Sequence, residues 1–407
     1  MFDRRIAHNN DKISNTYYDR GTFRDLGLYT CPDGRVRNFL ISGGVSRDRH
    51  VCMMETLSCL AGRAPLIVIH GNDPYAETAV VEAWRNAPAD GKRPLAVAGV
   101  SNRLFEPFLG MSIMQTIACL RVLALKLGYT PQPSFERVVR AHITILENLR
   151  LPISLSGFYY LTEFRDMGKF RANICALPCG EEAGARLWAD LGVDTDISQL
   201  DLFRAVITNL AGESAQSGWD PGRSIGTCNC ITAIREGKTF VLSVDPAYIT
   251  LLMPYLVEEL KAAGICEYMM ILDNVAVCDE MMEHVSRSGA NLHCALCADN
   301  AVECFAGDEE KFQRFGGKMN SFVFMKHVTA KAAGAVAELC GKFDRSRAEV
   351  SEGTGRGFFN ILPEGRHSDV RYSTENTYRI MPETIMGLVQ GQAVIYDAAE
   401  DRIIYFN

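Results

Sequence analysis

Two short segments of this 407-residue chain carry residue types whose spacing belongs to phosphate chemistry. The first is Gly43-Gly44-Val45-Ser46-Arg47-Asp48-Arg49-His50, directly after the apolar run NFLIS. A phosphate-binding loop reads GxxxxGK[ST] between a strand and a helix. Its glycines let backbone N–H groups approach the phosphates, its lysine offsets their charge, and its hydroxyl binds magnesium. Context and length fit that frame. The chemistry departs from it: Asp48 stands at the second glycine, Arg49 at the lysine and His50 at the hydroxyl. A carboxylate held about 4 Å from a phosphate charge costs about 4 kcal/mol at an effective dielectric of 20, roughly a thousandfold in affinity. A plain strand–turn–helix is the alternative reading. The second segment is Glu267–Val275, EYMMILDNV. An apolar strand ending in Asp-Glu supports magnesium with the aspartate and polarises the attacking water with the glutamate. Asp273 keeps the first position, and Asn274 stands in the second, where an amide cannot act as a base.

Elements that would position these residues recur along the chain. Short apolar runs fall at 38–42, 66–70, 95–98, 239–244, 268–272, 291–296 and 321–325, with helical segments between them. Continuous apolar runs separated by helices predict a parallel sheet covered on both faces. The runs 393–396 and 403–406 flank AAEDR and predict a terminal antiparallel hairpin. Helices are expected at 51–60, 254–263, 330–340 and 383–388. From 101 to 220 strands are lacking and helices are expected at 113–127, 134–148, 184–191 and 200–210. We read 101–220 as an all-helical insertion, with 1–100 and 221–407 as one discontinuous α/β domain. Residues 181–220 hold eight Asp and Glu against Arg186 and Arg204, a solvated face or a docking surface for a basic partner. The stretch 351–376 is rich in glycine and charge, lacks periodicity and reads as a long loop.

Composition narrows the classes. With 47% hydrophobic and 22% charged residues the chain is globular rather than disordered. A net charge of −7 leaves no overall basic field for nucleic acid. The first residues lack the apolar core of a signal peptide. The segment 108–127, FLGMSIMQTIACLRVLALKL, approaches a membrane span in apolarity, but Gln115, Arg121 and Lys126 favour a buried or amphipathic helix. Fourteen cysteines with no secretion signal read as free thiols in a reducing, cytoplasmic compartment. Cys228 and Cys230 form a CxC, and Cys294 and Cys297 a CxxC. The latter pair lies on an expected strand, where an offset of three points side chains to opposite faces, so core thiols are expected rather than a metal site.

Taken in order, these segments resemble a known family. The region from Gly237 to Asp397 is similar to the nucleotide-binding domain of type IV secretion coupling proteins, the TraG/TraD-like conjugation ATPases related to FtsK and HerA motors. GKTFVLSVDPAYITLLMPYLVEELKA resembles the strand and helix before the acidic motif, and ILDNVAV the family's LDE strand. VSRSGANLHCALCADNA resembles the segment that reads GRSRGI, a short apolar run, then Gln-Ser. RIMPETIMGLVQGQAVIYD resembles the closing LLxPDEIxxLPxGxALVLV. LISGGVSRDRH falls at the phosphate loop and LIVIHGNDP at the second strand. The helical insertion matches the place of the family's all-α domain, while the family's N-terminal membrane helices have no counterpart in this sequence.

The resemblance implies an α/β, RecA-like P-loop NTPase fold with a mainly parallel sheet and an inserted all-α domain. It places Gly43, Gly44, Ser46, Asp48, Arg49 and His50 at a degenerate nucleotide-binding loop. It also places Asp273, Asn274 and Arg287 at active-site positions, Arg287 as a residue acting across a subunit interface, and Cys297 where the family has a sensing glutamine. Loss of the lysine, hydroxyl, base and sensor together removes groups that each carry orders of magnitude in rate. The implied function is a catalytically inactive ATPase, a pseudo-ATPase that serves as a binding scaffold for protein partners of a secretion or DNA-transfer system, which would dock on the helical insertion or on the loop 351–376. No cofactor is then expected, ATP and magnesium entering only if the divergent loop works, and no metal. Two alternatives stay open: an active ATPase motor in which Arg49 replaces the lysine, and a regulatory protein binding another small ligand at the strand C-termini.

Overall fold

The computed structural model describes residues 15–18, 37–50, 65–71, 74–86, 93–99, 106–109, 111–216, 230–244, 268–287, 292–353 and 367–406, with single helical positions at 249, 253, 256, 257 and 260. The expected helix 51–60 lies outside these residues. Within 254–263 the described positions 256, 257 and 260 are helical and buried.

Ten strands form one sheet. In chain order they are β1 (Asn15–Tyr18), β2 (Phe39–Ser42), β3 (Leu66–Gly71), β4 (Leu95–Gly99), β5 (Thr239–Val244), β6 (Tyr268–Asp273), β7 (Leu292–Ala298), β8 (Ser321–Phe324), β11 (Ala393–Asp397) and β12 (Arg402–Phe406). Their order across the sheet is β1-β12-β11-β8-β2-β7-β6-β3-β5-β4. The seven strands from β8 to β4 pair in parallel. The expected terminal hairpin is present: β11 pairs antiparallel with β12 and with β8.

The continuous apolar runs have their reason in burial on both faces. Leu40, Ile67, Ile69, Phe240, Leu242, Met270 and Leu272 point to one apolar cluster. Their neighbours Phe39, Ile41, Leu66, Val68, Val241, Met269 and Ile271 point to a second, with Val80 of helix α1 (Pro74–Asn86). Alternate side chains thus face opposite layers, and a strand with no solvated face shows no polar alternation. At the sheet's far side Arg37 donates to Asp397 at 2.8 Å, both buried, tying the start of β2 to the end of β11.

Between β4 and β5 the described residues contain helices and no strand: α2 (Ile113–Lys126), α3 (Pro133–Asn148), α4 (Leu155–Thr162), α5 (Met167–Cys175), α6 (Glu181–Asp190), α7 (Ser198–Gln216) and α8 (Cys230–Arg235). Ser112 starts α2 with a reciprocal cap, accepting from the Gln115 N–H while its own N–H donates to the Gln115 side chain. Pro133 opens α3 at a position where its missing N–H costs nothing. The apolar stretch at 108–127 is therefore a globular helix, and no helix among the described residues is long and apolar enough to cross a membrane. The apolar faces of this helical block belong to the same cluster as one face of the sheet. The division at 101 and 220 stands as our proposal for the boundaries.

One expectation is corrected. At both ends of the stretch 351–376 the described residues are strand rather than loop: β9 (Lys342–Gly353) and β10 (His367–Tyr378) form a two-stranded antiparallel ribbon, with register Val350↔Val370 and Arg345↔Glu375. Residues 354–366 lie outside the described residues. The strands KFDRSRAEVSEG and HSDVRYSTENTY are polar at most positions, so the apolar alternation that announces a half-buried strand is missing from them.

Packing in the helical block gives a test. A Cβ on Gly184 of α6 would lie 2.6 Å from the Ile174 carbonyl oxygen and 2.7 Å from Cys175 Cα, both main-chain atoms of α5. Gly334, inside the helix 330–339, has nothing within 4 Å of its Cβ position. Gly184→Ala is expected to lower stability by about 1–3 kcal/mol through overpacking, and Gly334→Ala to raise it by about 0.5–1 kcal/mol. Urea unfolding of both variants measures this, and equal effects would contradict the close crossing of α5 and α6.

Candidate functional site

Four neighbouring parallel strands, β8, β2, β7 and β6, end side by side at Phe324, Ser42, Ala298 and Asp273. The C-terminal edge of an open α/β sheet is where such folds bind ligands. The residues singled out in the first segment follow β2 directly. Gly43 and Gly44 have φ of 93° and 71°, the left-handed region that favours glycine. A Cβ on Gly43 would meet the Met325 carbonyl oxygen at 2.6 Å, and one on Gly44 the Met325 Sδ at 2.7 Å. The glycines are therefore required by a tight passage against the chain leaving β8.

Their N–H groups are engaged in the same passage. Gly43 donates to the Ala298 carbonyl at 3.0 Å and Gly44 to that of Lys326 at 2.9 Å. Helical residues begin at Ser46, and the Asp48 and Arg49 N–H groups donate to the Val45 carbonyl at 3.0 and 3.3 Å. Only Gly43, Gly44 and Val45 separate strand from helix. Asp48 lies half-buried in the first helical turn, and Ser46 is exposed. Arg49 is buried and turns back: its Nη1 donates to the carbonyls of Gly44 at 2.8 Å and Gly43 at 3.3 Å. The guanidinium thus closes the turn from inside.

Asp273 ends β6 and is only 4% exposed. Its Oδ2 lies 3.7 Å from His50 Nε2, and its Oδ1 has no hydrogen-bond partner among the described residues. Asn274 has φ of 49°, a conformation that asparagine tolerates better than most residues. Its N–H donates to the Cys297 carbonyl at 2.8 Å, and its side-chain oxygen accepts from the Asp299 N–H at 3.1 Å. Asn274 therefore shapes the exits of β6 and β7.

The fold brings Gly43, Gly44, Arg49, His50, Asp273, Asn274 and Cys297 to one edge. Arg287 is not among them. It ends helix α9 (Asp279–Arg287), which leaves β6 at this edge and carries the chain back toward the start of β7. Cys297 is fully buried in the second-face cluster and Cys294 in the first, on opposite faces as their spacing implies. Burial pushes the Cys294 thiol well above its ordinary range. No group of three metal-ligating side chains occurs among the described residues. Cys228 lies outside them.

Sequence reasoning missed a second layer of polar groups. Ser42 Oγ lies 3.2 Å from His327 Nε2 and accepts from the Ala301 N–H at 3.3 Å. Burial lowers the His327 pKa to about 4, opposed by the Asp299 charge. The neutral ring can therefore accept a hydrogen bond from the Ser42 hydroxyl. Burial also pushes the Cys304 thiol up to about 12, and the charges of Asp299, Asp273 and Glu303 add to the shift. His327 could have been found from sequence as a histidine just past the C-terminal end of a buried strand.

A mainly parallel sheet flanked by helices, with a glycine turn after its central strand, is the α/β RecA-like arrangement of P-loop NTPases. Solved structures similar to this chain include those of a bacterial conjugative coupling protein, TrwB. The unbound monoclinic form of TrwBdeltaN70 has a TM-score of 0.56 at 11% identity, covering 91% of this chain and 84% of that one. TrwB in complex with the non-hydrolysable GTP analogue GDPNP has a TM-score of 0.54 at 11% identity, covering 99% and 90%. TrwB with ADP and Mg2+ has a TM-score of 0.53 at 10% identity, covering 91% and 84%. At such identities the likeness is one of fold. No family model and no curated protein matches the sequence.

The buried histidines imply a pH dependence. Burial holds His327 and His142 at about 4, against 6.5 for the free ring. Between those values the unfolded chain takes up protons that the folded chain refuses. Stability from these rings is full above pH 6.5 and is lost as the pH falls toward 4, by about 3 kcal/mol each. Urea unfolding between pH 7 and pH 4.5 should show a shallower decline in His327→Gln than in the parent. An unchanged slope would mean that the ring is not held neutral.

Proposed function

We propose that the chain is a coupling-protein-like scaffold: a RecA-type fold that holds protein partners of a secretion or DNA-transfer system and does not hydrolyse ATP. The observation that supports this most directly is the Arg49 guanidinium lodged on the Gly43 and Gly44 carbonyls, inside a turn whose glycine N–H groups are already bonded. Phosphate binding needs free N–H groups and a free cation, and the Gly43 and Gly44 N–H groups and the Arg49 guanidinium each have an internal partner. Magnesium prefers hard oxygen ligands, and His50 stands where a hydroxyl is needed. These residues do not fit magnesium-ATP, and Asn274 leaves no base to orient water. TrwB is known in complexes with GDPNP and with ADP and Mg2+, so the fold itself does not preclude a nucleotide. The decisive differences are local.

One observation favours a second reading, an active ATPase with Arg49 as its phosphate cation. Asp273 Oδ1 is buried without a hydrogen-bond partner among the described residues, as a cation-binding oxygen would be. Calorimetry with magnesium-ATP separates the two. On the scaffold reading no binding tighter than millimolar is expected, and micromolar binding would overturn it. The Arg49→Met variant gives an independent measurement. If the guanidinium is structural, its loss lowers stability by about 1.5–3 kcal/mol without any nucleotide, the range for hydrogen bonds from a charged donor. Unchanged urea unfolding would place the role of Arg49 elsewhere.

A further inference from the structure

The most apolar segment of the chain forms a helix that is apolar on two opposite sides. One side of α2 is buried through Thr116, Ile117, Cys119, Leu120, Leu123 and Ala124. Opposite it, Met114, Ala118, Arg121 and Leu125 recur at i, i+4, i+7 and i+11, and all four are exposed. Met114 is 60% and Leu125 58% exposed. This spacing draws them into one line of three turns, about 16 Å long. A surface helix normally carries polar and charged residues there.

The charges beside this line have one predominant sign. α2 contains no acidic residue. Arg140 of α3 reaches across to Met114, with Nη2 2.9 Å from its Sδ, while bonded to Glu136 at 2.8 Å. Arg121 and Arg137 are exposed and make no ion pair among the described residues. Arg121 thus stands in the line and Arg140 touches Met114, with Arg137 exposed one turn before Arg140 on α3, in a chain whose net charge is −7.

We infer that this stripe, Met114–Ala118–Leu125 with Arg121, Arg137 and Arg140, is a docking surface for an acidic amphipathic helix of a protein partner. Apolar anchors in a line of helical spacing suit a second helix laid along the first. Ala118 at the middle leaves room for close approach. The arginines select carboxylates on the flanks of that helix and set its direction. A nucleic acid would use the arginines and leave Met114 and Leu125 without apolar partners. The inference takes its setting from the scaffold reading, but the binding itself involves no residue of the nucleotide edge.

The test uses the full chain and a fluorescein-labelled helical peptide of about 16 residues, enough for the three-turn stripe with flanks. It carries leucines at i, i+4, i+7 and i+11 and glutamates beside them. A second peptide carries lysines in place of the glutamates. Fluorescence anisotropy at low salt should give micromolar binding of the acidic peptide and binding at least about tenfold weaker for the lysine peptide. The Arg121→Glu, Arg137→Glu double variant and, separately, Leu125→Ser should each weaken the acidic peptide by about tenfold or more, with unchanged melting temperature. Should the double variant fail to fold, Arg121→Gln is expected to show a smaller loss in the same direction. The inference is overturned by no binding at about 100 μM, far above the expected range, or by equal binding of the two peptides. Parent-like binding by the variants would also overturn it. So would arginine-dependent binding of single-stranded DNA or anionic vesicles in preference to the acidic peptide, or self-association in light scattering that Leu125→Ser abolishes. Failure here leaves the ATP calorimetry untouched, and micromolar ATP binding leaves this result untouched.

Discussion

Burial of the central strand on every side is the constraint from which the candidate site follows. Phe39, Leu40, Ile41 and Ser42 are all buried, with β7 paired on one flank and β8 on the other. A chain leaving such a strand has little room at its exit. It passes under Met325 at a distance that only glycine permits, at both Gly43 and Gly44. In that passage the two N–H groups meet the carbonyls of the flanking chains, so each buried donor is satisfied. The cost of leaving buried polar groups unpaired explains why this turn is braced by its neighbours.

Arg49 extends the same logic to the carbonyl side. A buried guanidinium needs acceptors, and the exposed ends of a tight turn supply them. The turn, the arginine and the Asn274 bend at the ends of β6 and β7 make up one polar layer capping the apolar sheet. Ser42, His327 and Asp299 complete it. In this layer Arg49 and Asn274 serve to close strand ends. Among the described residues, Asp273 Oδ1 and Arg49 Nε are points where closure is incomplete.

The helical block contributes in another way. One side of it shares its apolar cluster with the sheet, which fixes it to the core. Its far side is free to carry exposed apolar and basic residues, because they do not take part in that cluster. A surface for partners placed there can change without disturbing the strand ends, since the two regions depend on different contacts.

Much of the architecture was legible in the residues. Buried parallel strands announce themselves as continuous apolar runs, so β2, β3, β5, β6, β7 and β8 were each located closely, and the hairpin of β11 and β12 followed from its turn residues. The opposite-face placement of Cys294 and Cys297 followed from strand period alone. The ribbon of β9 and β10 was not legible, because polar strands carry no apolar alternation and their pairing is made by the backbone. The short helices α4 and α5 were missed as well, being too brief to repeat a pattern. At the site, the sequence determined which residue types follow β2 and β6, with Asp48, Arg49 and His50 after the two glycines and Asn274 after Asp273. It could not determine that Arg49 folds back onto Gly43 and Gly44, that Asn274 bridges to Asp299, or that Ser42 meets His327, 285 residues away. The last two contacts join separate strands, and their partners are chosen by strand order and register, which exist only once the sheet has formed; the first is local in sequence but depends on the burial that the formed sheet imposes on Arg49.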